Sequence, residues 1–366
     1  MIIQFAIIMW LVVKDVWGQQ CQLDASNMNR KWIYAIKTPS NQYDLLHTNT
    51  LEDGQTLYLI CKEDDIIQLK CNRGIMDRIP DGSKCMNGIK YQEIQVINEV
   101  PCFQRNRGEI YDIRYTLARS GTTLSIYQVC YSKLSEEAIY SRHKTYGLSL
   151  SSYAYNRPTF AVGSVTGPTR AESFEAANVY ASFVSLLGNG QRFITSNSPS
   201  NRVIDRGHLV NVQDLLTYDQ KDATMNYINV IPQFTSVNIK NWKIIENWVH
   251  GLPKNGEYVS VLTGTFEVLE LEHSITGQPT KIYLMKNSKN PIPKYIYKVI
   301  NRNGVCTVIV THNNPFTAQF GNHVACRPIA CPDSLVFSRV ADSGASNCCD
   351  YNQFVHNIGF HAKLCN

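Results

Sequence analysis

No cysteine occurs between Tyr131 and Val305, although twelve stand in the rest of the 366-residue chain. The gap separates Cys21, Cys61, Cys71, Cys85, Cys102 and Cys130 from Cys306, Cys326, Cys331, Cys348, Cys349 and Cys365. Neither block contains a Cys-x2-Cys pair, which argues against structural zinc, and the even numbers point to disulfides made in an oxidising compartment. Adjacent Cys348 and Cys349 are expected to bond to different partners; the spacing leaves the connectivity open. Charge runs and low-complexity tracts are also missing. With 44% hydrophobic and 10% aromatic residues, that absence excludes an intrinsically disordered chain. Beyond the first eighteen residues no apolar run reaches the ~20 residues of a membrane-spanning helix, so the mature protein is expected to be soluble. No Asn-x-Ser/Thr sequon occurs, and secretion would not entail N-glycosylation. The formal charge of +5 is compatible with a polyanionic partner, but scattered Lys and Arg would give the same total.

What is present begins with an almost unbroken apolar stretch from Ile2 to Val13, then Lys14-Asp15 and Val16-Trp17-Gly18. It reads as a secretory signal peptide over residues 1–18, with small residues at the −3 and −1 positions of a cleavage site. From residue 19 to 116, alternating runs such as Thr56-Leu57-Tyr58-Leu59-Ile60-Cys61 and turn-formers such as Asp81-Gly82-Ser83 predict a small cysteine-rich β module. Such a module either shapes substrate binding or simply stabilises the chain. Residues 117–366 form the second expected unit. Arg170 to Leu187 predicts a helix packed through Phe174, Ala177, Val179, Phe183 and Leu186. Strands are predicted at Tyr258 to Leu262, Lys281 to Met285, Tyr295 to Ile300 and Cys306 to Thr311, giving an α+β domain with an extended sheet.

Chemistry concentrates in the cysteine-free interval. His208 follows Gly207, which tolerates tight backbone, and Arg206, whose planar fork suits phosphate oxygens. An unperturbed imidazole titrates near ~6.5 and can accept a proton from water. Trp242, Ile245 and Val249 predict one apolar stripe of a helix, with Glu246 toward its edge. Asn238, near the start of that helix, is either an N-terminal cap or an oxygen ligand for a hard cation. If the interval is helical, roughly 12 Å of axis separates Asn238 from Glu246. The glutamate would then reach a metal-bound water more readily than the ion.

Asp205-Arg206-Gly207-His208 with Asn229, Asn238 and Glu246 resembles the DNA/RNA non-specific endonucleases of the ββα-metal class, whose signature is Asp-Arg-Gly-His followed by an asparagine and a glutamate. The resemblance continues through Val261-Leu262-Thr263-Gly264 and Ile292-Pro293-Lys294-Tyr295. It implies a ββα-metal core on a mixed or antiparallel sheet, Mg2+ as cofactor with Mn2+ as a substitute, and hydrolysis of DNA and RNA to 5′-phosphate ends. By position, His208 becomes the general base, Asn238 the direct metal ligand and Glu246 a catalytic residue holding metal-bound water. Arg206 becomes a phosphate-binding or site-steadying residue, and Asn229 a supporting polar one. Two substrate-binding positions depart from the common pattern. An arginine found one helical turn after the glutamate is His250 here, which would serve better protonated, so activity is expected to rise at mildly acidic pH. For an upstream arginine, Arg157 is the candidate. Signal peptide, cysteine-rich module and nuclease core together look like the secreted arthropod branch, with its salivary and gut nucleases. The alternative is a secreted nucleic-acid-binding relative that has lost the chemistry, against which His208, Asn238 and Glu246 all stand. A phosphatase of small nucleotides lacks its multi-carboxylate cluster, and nothing indicates an oligomeric state.

Overall fold

Alternation of apolar residues decides which faces of the sheets are dry. In the strand Pro293–Arg302, Ile296 and Ile300 face one side while Tyr295, Tyr297 and Val299 face the other, and both sets are buried. A strand buried on both faces must be covered twice. The computed structural model shows how; it describes residues 19–23, 28–97, 102, 108–146, 155–253, 257–317, 325–332, 334–358 and 363–365. The expected signal peptide lies outside the described residues.

Among these residues nine antiparallel strands make one large sheet. Its order is Pro328–Ile329, Ser346–Cys349, Val305–His312, Pro293–Arg302, Tyr258–Val268, Glu137–Tyr146, Thr122–Ser132, Glu109–Leu117 and Gln92–Gln95. On one face Val259, Val261, Ile296, Ile300 and Ile309 pack with Trp242, Ile245 and Val249 of a helix. On the other, Leu262, Tyr297, Val308 and Val310 pack with Phe354 of the helix Tyr351–Ile358. Each fully buried side chain of this size contributes about 1.5–3 kcal/mol, so the two layers supply most of what holds the sheet. The architecture is α+β, mostly strand, as the sequence implies.

The N-terminal module has a separate four-stranded sheet, ordered Tyr43–Leu45, Ile33–Lys37, Thr56–Lys62 and Asp65–Lys70. Disulfides Cys21–Cys71 and Cys61–Cys85 staple it around Trp32, Tyr34, Leu57 and Leu59. The strand Glu109–Leu117, which the sequence reading assigns to this module, is instead hydrogen-bonded into the large sheet between Gln92–Gln95 and Thr122–Ser132. An alternating strand carries the same pattern in either sheet, so the boundary at 116 had no local signal. The remaining disulfides are Cys102–Cys130, Cys306–Cys365, Cys326–Cys349 and Cys331–Cys348, which leaves no thiol for zinc. Every pair closes within its own block, and Cys348 and Cys349 do take different partners.

The expected helix from Arg170 to Leu187 is two helices, Pro168–Glu172 and Ala176–Leu187. Val179, Phe183 and Leu187 carry the buried stripe of the second, while Ala177 is exposed. Val179, Phe183 and Leu187 follow the i, i+4 spacing within the second helix, Leu186 packs partly buried against the same cluster, and buried Phe174 lies in the break between the two helices. No helix among the described residues is long and apolar enough to cross a membrane.

Candidate active site

Ile204–His208 pairs antiparallel with Val230–Phe234, setting Arg206 opposite Pro232 and His208 opposite Val230. The two strands come close because Gly207 has no side chain: a Cβ there would lie 2.8 Å from Gln233 Cβ. Two buried residues fix this hairpin from behind. Arg170 donates to Val230 O at 2.6 Å and to Tyr227 O at 3.4 Å. Asn229 donates both amide hydrogens, to Val210 O and Thr224 O at 3.1 Å each, and accepts from Val210 N at 2.9 Å. Asn229 is completely buried, so the structure places it as the residue that anchors the chain just after His208.

His208 is half-buried, with Nε2 3.3 Å from Met225 Sδ and the Phe160 ring centroid 5.2 Å from its own. Burial, reinforced by the positive charge of Arg157, pulls its pKa down from the ordinary value to about 3. Desolvation and a like charge both disfavour the imidazolium, so the ring stays neutral through the whole neutral range. Arg206 is set beside it in an aromatic cage. Its guanidinium carbon lies 5.6, 5.8 and 5.6 Å from the centroids of Phe160, Phe174 and Tyr227, and its Nε donates to the Tyr227 hydroxyl at 2.7 Å. Three ring faces hold the cation in place, and its Nη groups donate no hydrogen bond among the described residues.

The helix that supplies Asn238 and Glu246 is kinked. A first turn, Thr235–Val237, runs into a wide turn, Asn238–Trp242, and then into the α-helix Lys243–His250. Lys240 at the kink has φ −109 and ψ −105, outside helical values. Asn238 therefore lies inside the helical segment and not at its cap, and the straight-axis separation from Glu246 does not apply. Its Nδ2 donates to Asp205 Oδ2 at 3.0 Å. That bond ties the helix to the Asp-Arg-Gly-His strand and orients the amide.

Glu246 is half-buried, and burial pushes its carboxyl up to about 7; Asp214 adds to the rise while Lys298 and Arg157 oppose it. Arg157 thus acts electrostatically on both His208 and Glu246, which links the hairpin and helix halves of the site. Lys298 points inward from the large sheet, fully buried, with Nζ 2.8 Å from Thr263 Oγ1 and 5.1 Å from the Trp242 ring centroid. Its pKa is lowered by burial, against the pull of Glu246 and Asp214. Asp214 bonds the buried His143 through Oδ2 and Nε2 at 2.9 Å, and its Oδ1 lies 3.9 Å from His250 Nδ1. His250, expected to face phosphate, turns that nitrogen toward a buried carboxylate.

Lys298, Asp214, His143, Phe160 and Met225 were not singled out from the sequence. Lys298 alone left a signal, as a lysine between Ile296 and Ile300 on the inward side of a strand. The other four reach the site from segments without a motif.

The side chains present fit a hard, water-rich cation. Asn238 Oδ1 accepts no hydrogen bond among the described residues, and its amide is oriented by the Asp205 carboxylate. No group of three or more His, Cys, Asp or Glu among the described residues could hold a metal ion, so an ion here would keep most of its waters.

The chain matches the family model described as DNA/RNA non-specific endonuclease over residues 107–334. It is similar to a salivary endonuclease of Lutzomyia longipalpis, 26% identical over 84% of this chain and 73% of that protein. It also resembles salivary protein Tsal1 of Glossina morsitans morsitans, 26% identical over 66% and 62% of the two chains. A salivary endonuclease of Culex quinquefasciatus is 24% identical over 92% and 89%. A chain from the crystal structure of the EndoG/EndoGI complex aligns at 18% identity and a TM-score of 0.33, over 51% of this chain and 71% of that one. The family match covers more than half of the sequence and includes the hairpin, the kinked helix and the residues from Arg157 to Lys298 around them: this chain belongs to the DNA/RNA non-specific endonuclease family.

Proposed function

We propose that the protein is a secreted, magnesium-dependent endonuclease that hydrolyses phosphodiester bonds of DNA and RNA and leaves 5′-phosphate ends. The observation that carries this reading is the joining of a neutral, half-buried His208 to an oriented Asn238 through one strand, Asp205 contacting the asparagine and His208 ending the run. His208 Nδ1 has no hydrogen bond among the described residues. With the proton on Nε2 facing the Met225 sulfur, the Nδ1 lone pair is free to take a proton from water. The water oxygen adds to phosphorus, the P–O3′ bond breaks, and the 3′ oxygen leaves with a proton from solvent. A ring held near pKa 3 is a weak base, but the negative phosphate arriving beside it raises its proton affinity toward the useful range.

Arg206 and Arg157 hold the phosphate, the first in its aromatic cage and the second from the exposed segment facing the site. Asn238 would hold Mg2+, with Mn2+ as a substitute, and Glu246 one of its waters. When bound, the ion supplies charge neutralisation at the non-bridging oxygens and an acidified water for the leaving group. Glu246, raised to about 7 in the free protein, would return to its charged form beside such a cation. Disulfides and salivary relatives support secretion. They also support degradation of extracellular or ingested nucleic acid as the role.

The test uses supercoiled plasmid, single-stranded DNA and double-stranded RNA, each with magnesium or chelator, and end-labelling of the products. Cleavage that persists in chelator, or that leaves 3′-phosphate ends, rules the reading out. Binding to all three polymers without cleavage would favour the non-catalytic relative.

A further inference from the structure

Residues 155–166 run across the front of the hairpin without forming a helix or a strand of their own. The segment brings Phe160 against His208 and Arg206, and it carries Arg157. Near its middle, Ala161 bonds Met225 O and Tyr227 N at 2.9 and 3.0 Å. Its ends are held by residues from outside the span that matches the family. At the far end Glu93 Oε2 accepts from Ser164 N at 2.8 Å, Ser164 Oγ at 2.9 Å and Val165 N at 3.0 Å.

The end beside Arg157 is held by Arg30 of the cysteine-rich module. Arg30 Nη2 donates to Asn156 O at 2.5 Å, and Nε bonds Asp222 Oδ2 at 2.8 Å. Its guanidinium carbon sits 5.4 and 5.6 Å from the ring centroids of Tyr155 and Tyr218, which stack 6.0 Å apart at 17°. Tyr155 OH completes the cluster by donating to Asp222 Oδ1 at 2.6 Å. As an ion pair the 43% exposed Arg30 adds little stability. Its geometry is specific: one planar fork fixes the carbonyl of Asn156, the residue before Arg157, relative to the helix Tyr218–Thr224. A lysine ammonium has neither the fork nor the flat face for the two rings.

We propose that Arg30 is a positioning residue through which the cysteine-rich module sets Arg157 for the scissile phosphate, so that the module completes the active site. This rests on the reading of Arg157 as a phosphate-binding residue, and the test separates the two. The full-length protein is compared with Arg30→Ala, Arg157→Ala, the double variant and Glu63→Gln on plasmid DNA at fixed magnesium and salt. Glu63 accepts from the backbone N of Arg119 and Ser120, a module-to-sheet contact that touches nothing in residues 155–166. Misplacement of a contact by about 1 Å can cost up to a hundredfold, and Arg30→Ala is expected to lower kcat/KM by roughly tenfold or more. The same change should cost nothing further in the Arg157→Ala background. Arg30→Lys should not restore the rate, and Glu63→Gln should leave it unchanged. If Arg157→Ala lowers kcat/KM while Arg30→Ala does not, the proposal fails and the Arg157 reading stands. An equal loss from Arg30→Ala in both backgrounds also overturns it. No loss from Arg157→Ala overturns the reading beneath it. Should Arg30→Ala not fold, Tyr155→Phe removes the hydrogen bond to Asp222 and is carried through the same cycle, with the same coupling expected.

Discussion

Asn229→Ala separates an anchoring role from a substrate-binding one. Asn229 is fully buried and its side chain makes three hydrogen bonds to backbone, two to Val210 and one to Thr224. Leu209 N also bonds the Asn229 carbonyl at 3.0 Å, so the two residues after His208 are bracketed by this one side chain and its peptide. Truncation strands three buried backbone groups, each costing ~1–3 kcal/mol. Partial entry of water keeps the sum toward the low end, about 3 kcal/mol. With disulfides intact, the urea midpoint should fall by an amount equivalent to that loss, and kcat should fall while KM changes little. Asn229→Asp adds a sign. A carboxylate there faces two carbonyl oxygens, so its pKa is raised in the folded state, and the folded protein binds the proton more tightly than the unfolded one. Its stability relative to wild type should therefore be best below the ordinary Asp range and decline as pH rises through the raised value. A large loss of kcat with unchanged stability in Asn229→Ala would place the amide on the substrate and refute the anchoring role.

Three further outcomes follow from the same geometry. Gly207→Ala should destabilise the protein by about 1–3 kcal/mol in urea unfolding, because the new Cβ meets Gln233 Cβ at 2.8 Å; an unchanged midpoint would mean the strands part freely. Asp205→Ala removes the acceptor that orients Asn238, so the magnesium concentration giving half-maximal cleavage should rise roughly 10- to 100-fold, and no rise would count against Asn238 as the ligand. In the free protein His208 should show no NMR titration between pH 5 and 8, and Arg157→Ala should raise its pKa without restoring the ordinary value, since burial is the larger cause. A folded-state pKa below the unfolded one means fewer bound protons in the folded state. His208 should therefore cost stability as pH falls below ~6.5, by up to ~1.4 kcal/mol per pH unit, and His208→Gln should flatten that slope.

The sequence carried those parts of the site that depend on contiguous or helically spaced residues. Asp205 to His208 stands out as a contiguous motif, and the tight backbone that Gly207 permits is used where its strand lies against Gln233. Trp242, Ile245 and Val249 are the buried stripe because their spacing is helical. What was hidden depends on tertiary contact. The kink at Lys240 has no proline or glycine to announce it, and the boundary near residue 116 disappears into a strand that alternates like its neighbours. Asn229 reads as a polar site residue, while its saturation by Val210 and Thr224 is visible only in three dimensions. Arg157 had no local motif at all; its standing comes from the field it exerts on two residues distant in sequence.

The central claim is that His208 takes the proton from the attacking water, and the most direct measurement is single-turnover cleavage of a supercoiled plasmid by His208→Ala at saturating magnesium. Loss of a positioned general base costs typically 10²–10⁴-fold, so the variant should bind DNA as the wild type does and cut it slower by a factor in that range. A folded His208→Ala protein that cuts within about tenfold of the wild-type rate would contradict the account.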